Sequence, residues 1–142
     1  MGNKVEKSFK ALCFCIIMIL SVRCVQAQNL INGKKIFETR CLVCHQSDGG
    51  GVPNMNPPLD ASTNVNGKDI ARLVKIIQNG YDERVALDGM YYNNAMTANP
   101  DLKEDAIADV LSYIRNSWSN KAGLVSIADV KKAIIKNKLK KK

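Results

Sequence analysis

The chain has 142 residues, room for one ordinary domain and little more, and a net charge of +8 that at first points to nucleic acid or a membrane surface. The charge is unevenly placed: residues 1–27 carry four basic side chains against Glu6, residues 28–120 nine basic against eleven acidic, and residues 121–142 eight lysines against Asp129. The central segment is therefore slightly acidic, which excludes a nucleic-acid-binding domain, because such a domain carries its basic residues on the folded body.

The N-terminus predicts an export signal. A basic stretch through Lys10 precedes the apolar run Ala11 to Val22, and Val25-Gln26-Ala27 offers small residues for a signal peptidase, so a mature periplasmic chain would start at Gln28. Twelve residues, all but Ser21 apolar, are few for a membrane span. An uncleaved signal serving as an anchor is one alternative, and lipidation at Cys24 is another, although Arg23 stands where lipid processing takes a small residue. Cys13, Cys15 and Cys24 belong to this leader, which leaves Cys41 and Cys44 in the mature chain.

A first helix is expected from about Leu30 to His45. Phe37, Cys41, Cys44 and His45 fall at i, i+4, i+7 and i+8, so one face combines a core aromatic with Cys41-Leu42-Val43-Cys44-His45, and Gly33 marks a close helix crossing. Two thiols on one helical turn can add across the two vinyl groups of a haem, and a histidine directly after them can reach the iron. This stretch is read as the attachment site of one covalent haem c. A thioredoxin-like pair would need a βαβ pattern that is missing here, and zinc would need four ligands where His45 is the only histidine and no cysteine follows Cys44. Two-histidine ligation is equally impossible within one chain, so another residue must supply the sixth ligand; a methionine thioether is usual in electron-transfer cytochromes.

Gly49-Gly50-Gly51 and then Pro53, Pro57 and Pro58 make a loop. It is either a plain connector or a rigid support in which the Pro57 carbonyl accepts the ring N–H of His45 and Leu59 packs on the haem edge. A second helix is expected over Lys68 to Asn79, with Ile70, Leu73, Val74 and Ile77 on its core face and Gly80 as its stop. Residues 85–92 suggest a small hairpin turning at Asp88-Gly89. Met96 follows in an irregular Asn93-Asn94-Ala95-Met96 segment, where it serves as an iron ligand or as loop packing, and Asn93 and Asn94 either donate to the haem or shape a turn. The third helix should start near Asp101, with Glu104 as capping partner, and run through Ile107, Val110, Leu111 and Ile114 to about Trp118, an aromatic of the core or a donor to a haem propionate. Beyond Asn120, Ser126 and Asp129 open a short helix with Ile127, Val130 and Ile134 on one face, ending in a lysine-rich tail.

Leu30 to Asn120 resembles a class I cytochrome c. Gly33 and Phe37 stand eight and four residues before the first haem cysteine, as in that family; Pro57-Pro58-Leu59 resembles its proline–leucine loop, Tyr92 to Met96 its methionine-ligand segment, and Ile107 to Trp118 the closing helix of cytochrome domains associated with bacterial periplasmic dehydrogenases and copper enzymes. Thr97 stands where the family usually places proline after the methionine. The resemblance implies an all-α bundle of about three main helices around one haem, with a small hairpin and a C-terminal helical tail. It divides the chain into a signal (1–27), a haem domain (28–120) and a tail (121–142), and makes His45 and Met96 the axial ligands, with Met90 as the weaker candidate. The function implied is single-electron transfer with a dehydrogenase, oxidase or copper enzyme, the tail being available to an acidic protein or an anionic membrane. The rivals are a fixed haem subunit of a larger oxidoreductase and, further off, a haem enzyme or sensor with an open iron site.

Overall fold

The computed structural model describes residues 29–84 and 86–139; the expected export signal with its cysteines, Val85 of the expected hairpin and Lys140 to Lys142 lie outside the described residues. The elements are α1 over residues 29–40, α2 Leu42–His45, α3 Thr63–Asn66, α4 Ile70–Asn79, α5 Glu104–Ile114 and α6 Ile127–Leu139. Among the described residues there are no strands, only isolated bridges joining Val52 to Asn56, Tyr81 to Met96 and Leu87 to Met90. The fold is all-α, as the sequence predicts.

The crossing of α1 and α5 sets the frame. A Cβ on Gly33 would stand 2.1 Å from the Asp109 carbonyl oxygen and 2.8 Å from Tyr113 Cβ, so only glycine lets the two helices come this close. One turn on, Phe37 is buried, its ring 5.5 Å from both Tyr113 and Trp118. Ile107, Val110, Leu111 and Ile114 bury the apolar face of α5, and each large aliphatic side chain so buried contributes about 1.5–3 kcal/mol. The expected cap between Asp101 and Glu104 does not form. Arg40, at the end of α1, takes the Asp101 carboxylate at 2.6 Å, and α5 starts after Lys103 without a side-chain cap.

Asp69 caps α4 by accepting from the Arg72 backbone N–H at 3.2 Å. The helix therefore starts slightly later than Lys68 but ends at Asn79 as expected. α6 starts at the reciprocal pair of Ser126 and Asp129: Ser126 Oγ donates to Asp129 Oδ2 at 2.6 Å, and the Asp129 N–H donates back to Ser126 Oγ at 3.1 Å. Its buried stripe is Val130 and Ala133 with Ile134 beside them, and Asn137 donates to the Ala71 carbonyl of α4 at 2.9 Å. That rotation turns Ile127, expected on the core face, outward.

The hairpin is reduced to its turn. Asp88 and Gly89 both adopt positive φ, as an Asp-Gly turn requires, but only Leu87 and Met90 pair. The turn and the segment after it are tied to other parts of the chain: Asp88 accepts from the Thr63 backbone N–H at 3.1 Å, and the Asn93 and Asn94 N–H groups donate to Asn54 and Met55 at 3.0 Å each.

Candidate functional site

α1 delivers the two cysteines and the histidine. The expected single helix from Leu30 to His45 is interrupted at Cys41 and resumes as α2, with the Cys41 N–H on the Phe37 carbonyl and the His45 N–H on the Cys41 carbonyl, both at 2.9 Å. Cys41 is half-buried, Cys44 is exposed, and both are free thiols. Burial, then the neighbouring Cys44, pushes the Cys41 thiol up to about 11 against the pull of Arg40. A redox-active pair needs a depressed thiol pKa, so the local field opposes the thioredoxin-like reading.

His45 is 8% exposed, and its Nδ1 lies 3.0 Å from the Pro57 carbonyl oxygen. Burial lowers its pKa below the ordinary value and the Pro57 contact opposes the shift, so the ring is neutral at pH 7. With Nδ1–H donated to Pro57, Nε2 is the nitrogen left for a metal. The loop that carries Pro57 is tightly held. Gly51 has a φ of 67°, and a Cβ there would stand 2.4 Å from the Asn56 carbonyl oxygen. Leu59 N–H donates to the Gly49 carbonyl at 2.7 Å. Trp118 Nε1–H donates to the Ser47 carbonyl at 2.9 Å, so its indole is a core aromatic and a loop anchor; the propionate role is replaced by this bond.

All seven residues singled out in the sequence, Cys41, Cys44, His45, Pro57, Leu59, Asn94 and Met96, line one cleft of about 640 Å³. Met96 reaches it from the segment after α4, its backbone exchanging hydrogen bonds with Tyr81 at 2.7 and 3.0 Å. Met90 is 51% exposed at the turn and does not line the cleft. Asn94 sits at the rim, its Nδ2 donating to Asn56 Oδ1 at 3.2 Å, which joins the loop after α4 to the loop before α3.

Sequence reasoning left out most of the walls. Leu73 and Ile77 of α4 and Leu111 and Ile114 of α5 line the cleft, although their helical spacing marks them only as core. Arg72 is the other omission. Its Nη2 lies 3.3 Å from Tyr81 Oη and its guanidinium 5.6 Å from the Tyr81 ring centroid, but its buried Nε has no hydrogen-bond partner among the described residues. Periodicity alone places Arg72 on a solvated side of α4, so no sequence signal marks it. A large apolar cleft with two thiols, a neutral imidazole, a thioether and an unpaired buried cationic N–H fits a flat macrocycle bearing two carboxylates. It does not fit zinc: among the described residues no group of three or more His, Cys, Asp and Glu side chains is placed to hold a metal ion.

The sequence model of the cytochrome c family matches residues 30–118. The cytochrome c subunit of a quinone alcohol dehydrogenase from Gluconacetobacter polyoxogenes is 36% identical over 111 residues, covering 72% of this chain and 22% of that protein. The corresponding subunit from Gluconobacter oxydans (strain 621H) is 30% identical over 109 residues, covering 70% and 21%. Cytochrome c-552 from Thermus thermophilus is 33% identical over 92 residues, covering 63% and 70%. The chain thus spans about a fifth of the length of the dehydrogenase subunits and aligns with most of cytochrome c-552.

Proposed function

Because the chain belongs to the cytochrome c family, we propose that it passes single electrons between exported redox proteins, a dehydrogenase among them, with His45 and Met96 as the axial ligands of its haem. The protein is an electron carrier rather than a catalyst, and Cys41 and Cys44 hold haem c covalently. Bound there, the haem supplies a one-electron couple. Cys41 and Cys44 would anchor it through two thioethers, the Pro57 carbonyl orients the His45 ring so that Nε2 would face it, and Leu59, Leu73, Ile77 and Leu111, which line the cleft, would keep water out. Met96 brings a soft thioether from a backbone fixed to Tyr81, a ligand that favours reduced iron and raises the potential. Asn94 holds the rim, and Arg72 Nε–H would be free to donate to a haem carboxylate.

Export to the periplasm rests on the leader at residues 1–27. An oxidase or copper enzyme suits the electron-accepting side, and the lysine-rich C-terminal end offers an acidic or anionic surface a complement. The observation that carries the reading is one apolar cleft holding two thiols and a neutral histidine oriented by a backbone carbonyl. Haem should survive acid–acetone extraction of the purified protein, and Cys44→Ser should sharply lower the covalent yield; haem that extracts freely from the wild type would overturn it. A second reading, a fixed haem subunit of a larger complex, is favoured by the similarity to dehydrogenase subunits, and co-purification with a dehydrogenase at constant stoichiometry would establish it.

A further inference from the structure

We propose that the outer face of α6 rests on the surface of an anionic lipid bilayer. At 100° per residue, the side of α6 turned away from the buried Val130 and Ala133 and the half-buried Asn137 is centred on Ala128, Ile135 and Leu139. Ile135 is 60% and Leu139 69% exposed, and the two lie side by side on this strip. Lys131 and Lys138 flank this strip on one side and Lys132 and Lys136 on the other, all four exposed. Asp129, the one acidic residue of α6, lies off the strip and is engaged by Ser126.

An apolar strip bordered on both sides by lysines lets a helix lie in the plane of a membrane, with aliphatic side chains among the acyl chains and ammonium groups reaching up to lipid phosphates. The helix is about 20 Å long, enough to lie flat. Among the described residues no helix is long and apolar enough to cross a membrane. The occupant is chosen by charge and by exposure together. A second copy of the chain would set lysines against lysines. An acidic protein would pair with the lysines but would leave the Ile135 and Leu139 strip without a role, whereas an anionic bilayer uses both.

The placement also leaves electron transfer free. Ala71 on α4 accepts from Asn137 of α6, while Arg72, Leu73, Ile76 and Ile77 line the cleft from the other side of the same helix. α4 therefore stands between the cleft and α6, and a bilayer under α6 does not cover the haem site. This proposal is independent of the axial-ligand assignment, and its readout is lipid binding with the haem spectrum as a control.

The test uses the haem-loaded full chain and co-sedimentation with vesicles of phosphatidylcholine plus phosphatidylglycerol, against phosphatidylcholine alone. Binding is expected only to the anionic vesicles, weakening by about tenfold or more when salt is raised to about 0.5 M. Ile135→Asn with Leu139→Asn should lower the partition by about tenfold or more, with haem absorption and helix content unchanged because both side chains point away from the core. Lys131→Gln with Lys132→Gln should lower it comparably. Unchanged binding of the Ile135→Asn, Leu139→Asn protein would overturn the proposal, as would equal binding to both kinds of vesicle, the pattern expected from an apolar leader alone. A surface made for an acidic protein would show as sensitivity to the lysine changes with none to the apolar ones.

Discussion

Replacing Asn120 by alanine tests how the haem loop is held. Asn120 is 3% exposed, and its amide makes four hydrogen bonds: Oδ1 accepts from the Ala61 N–H at 3.0 Å and from Asn66 Nδ2 at 2.7 Å, and Nδ2 donates to the carbonyls of Leu59 at 2.9 Å and Ile114 at 3.0 Å. Asn120→Ala strips partners from three backbone groups at once. At about 1–3 kcal/mol for each buried polar group left unpaired, less what an entering water restores, the loss is about 3–5 kcal/mol. That is a large part of the roughly 5–15 kcal/mol by which a domain is stable. Guanidinium unfolding of the haem-loaded protein should show a lower midpoint with an unchanged slope. Asn120→Asp sharpens the test, because it turns the donor facing Leu59 and Ile114 into an acceptor. A buried carboxyl beside two carbonyl oxygens has its pKa raised above the unfolded value of about 3.9, so the variant loses stability as pH rises through that window and recovers toward acid. A loss below about 1 kcal/mol for Asn120→Ala, or a deficit in Asn120→Asp that ignores pH, would refute the reasoning.

Met96→Ala should abolish the sulfur-to-iron absorption band of the oxidised protein and lower its reduction potential, while Met90→Ala changes neither; the reverse pattern moves the ligand to Met90. Gly33→Ala forces a Cβ against the α5 backbone and should cost about 1–3 kcal/mol or more, seen as a lower Tm with haem still attached, and an unchanged Tm would mean that the crossing yields freely. The Thr63 hydroxyl and N–H hold the Asp88 carboxyl below the usual carboxylate range, so this tie between the turn and α3 is complete at neutral pH and lost as pH falls through that lowered value. Amide protection of Leu87 and Met90 should fall on acidification, whereas Asp88→Asn should start lower and show no such acid step.

The parts legible in the sequence were those with a strict local grammar. Two cysteines and a histidine at fixed spacing admit one main chemistry, and Gly33 with Phe37 at helical spacing marks a face whose glycine needs a close neighbour. Gly80 and the Ser126–Asp129 pair follow cap rules that act within one turn, so those helix limits are legible in the sequence. The misreadings come from partners far along the chain. Asp101 would cap α5 if Arg40, 61 residues away, did not hold it. Trp118 keeps its expected place against the core, and its alternative role at a propionate gives way to the Ser47 carbonyl, 71 residues away. The residues 85–92 carry a good turn, but Asp88 in that turn bonds to α3, and Asn93 and Asn94 just after it bond to the loop before α3, ties that no local pattern reports. Arg72 and Asn120 are the same problem in polar form: each reads as an ordinary surface residue until the fold buries it.

The two sides of the cleft are held by unequal means. Three successive residues after α5 clamp the loop that carries Pro57: Trp118 donates to Ser47, the Ser119 N–H donates to Asp60 at 2.9 Å, and Asn120 joins Leu59 to Ala61. The end of one core helix therefore fixes the carbonyl that orients His45, and loosening that side means unpacking Phe37 and Tyr113 as well. On the Met96 side the fixed points are the Tyr81 pair and the Asn99 N–H on Ile77, at 2.9 Å, both next to the end of α4. Between Tyr81 and Met96 the chain runs through mostly exposed residues, tied by the Asp88 contact to Thr63 and by Asn93 and Asn94 to the loop before α3. Local opening starts where buried contacts are fewest, so the methionine side yields before the histidine side. The acid step at Asp88 acts on that weaker side alone, which is why its loss should reach Leu87 and Met90 while leaving the His45–Pro57 contact intact.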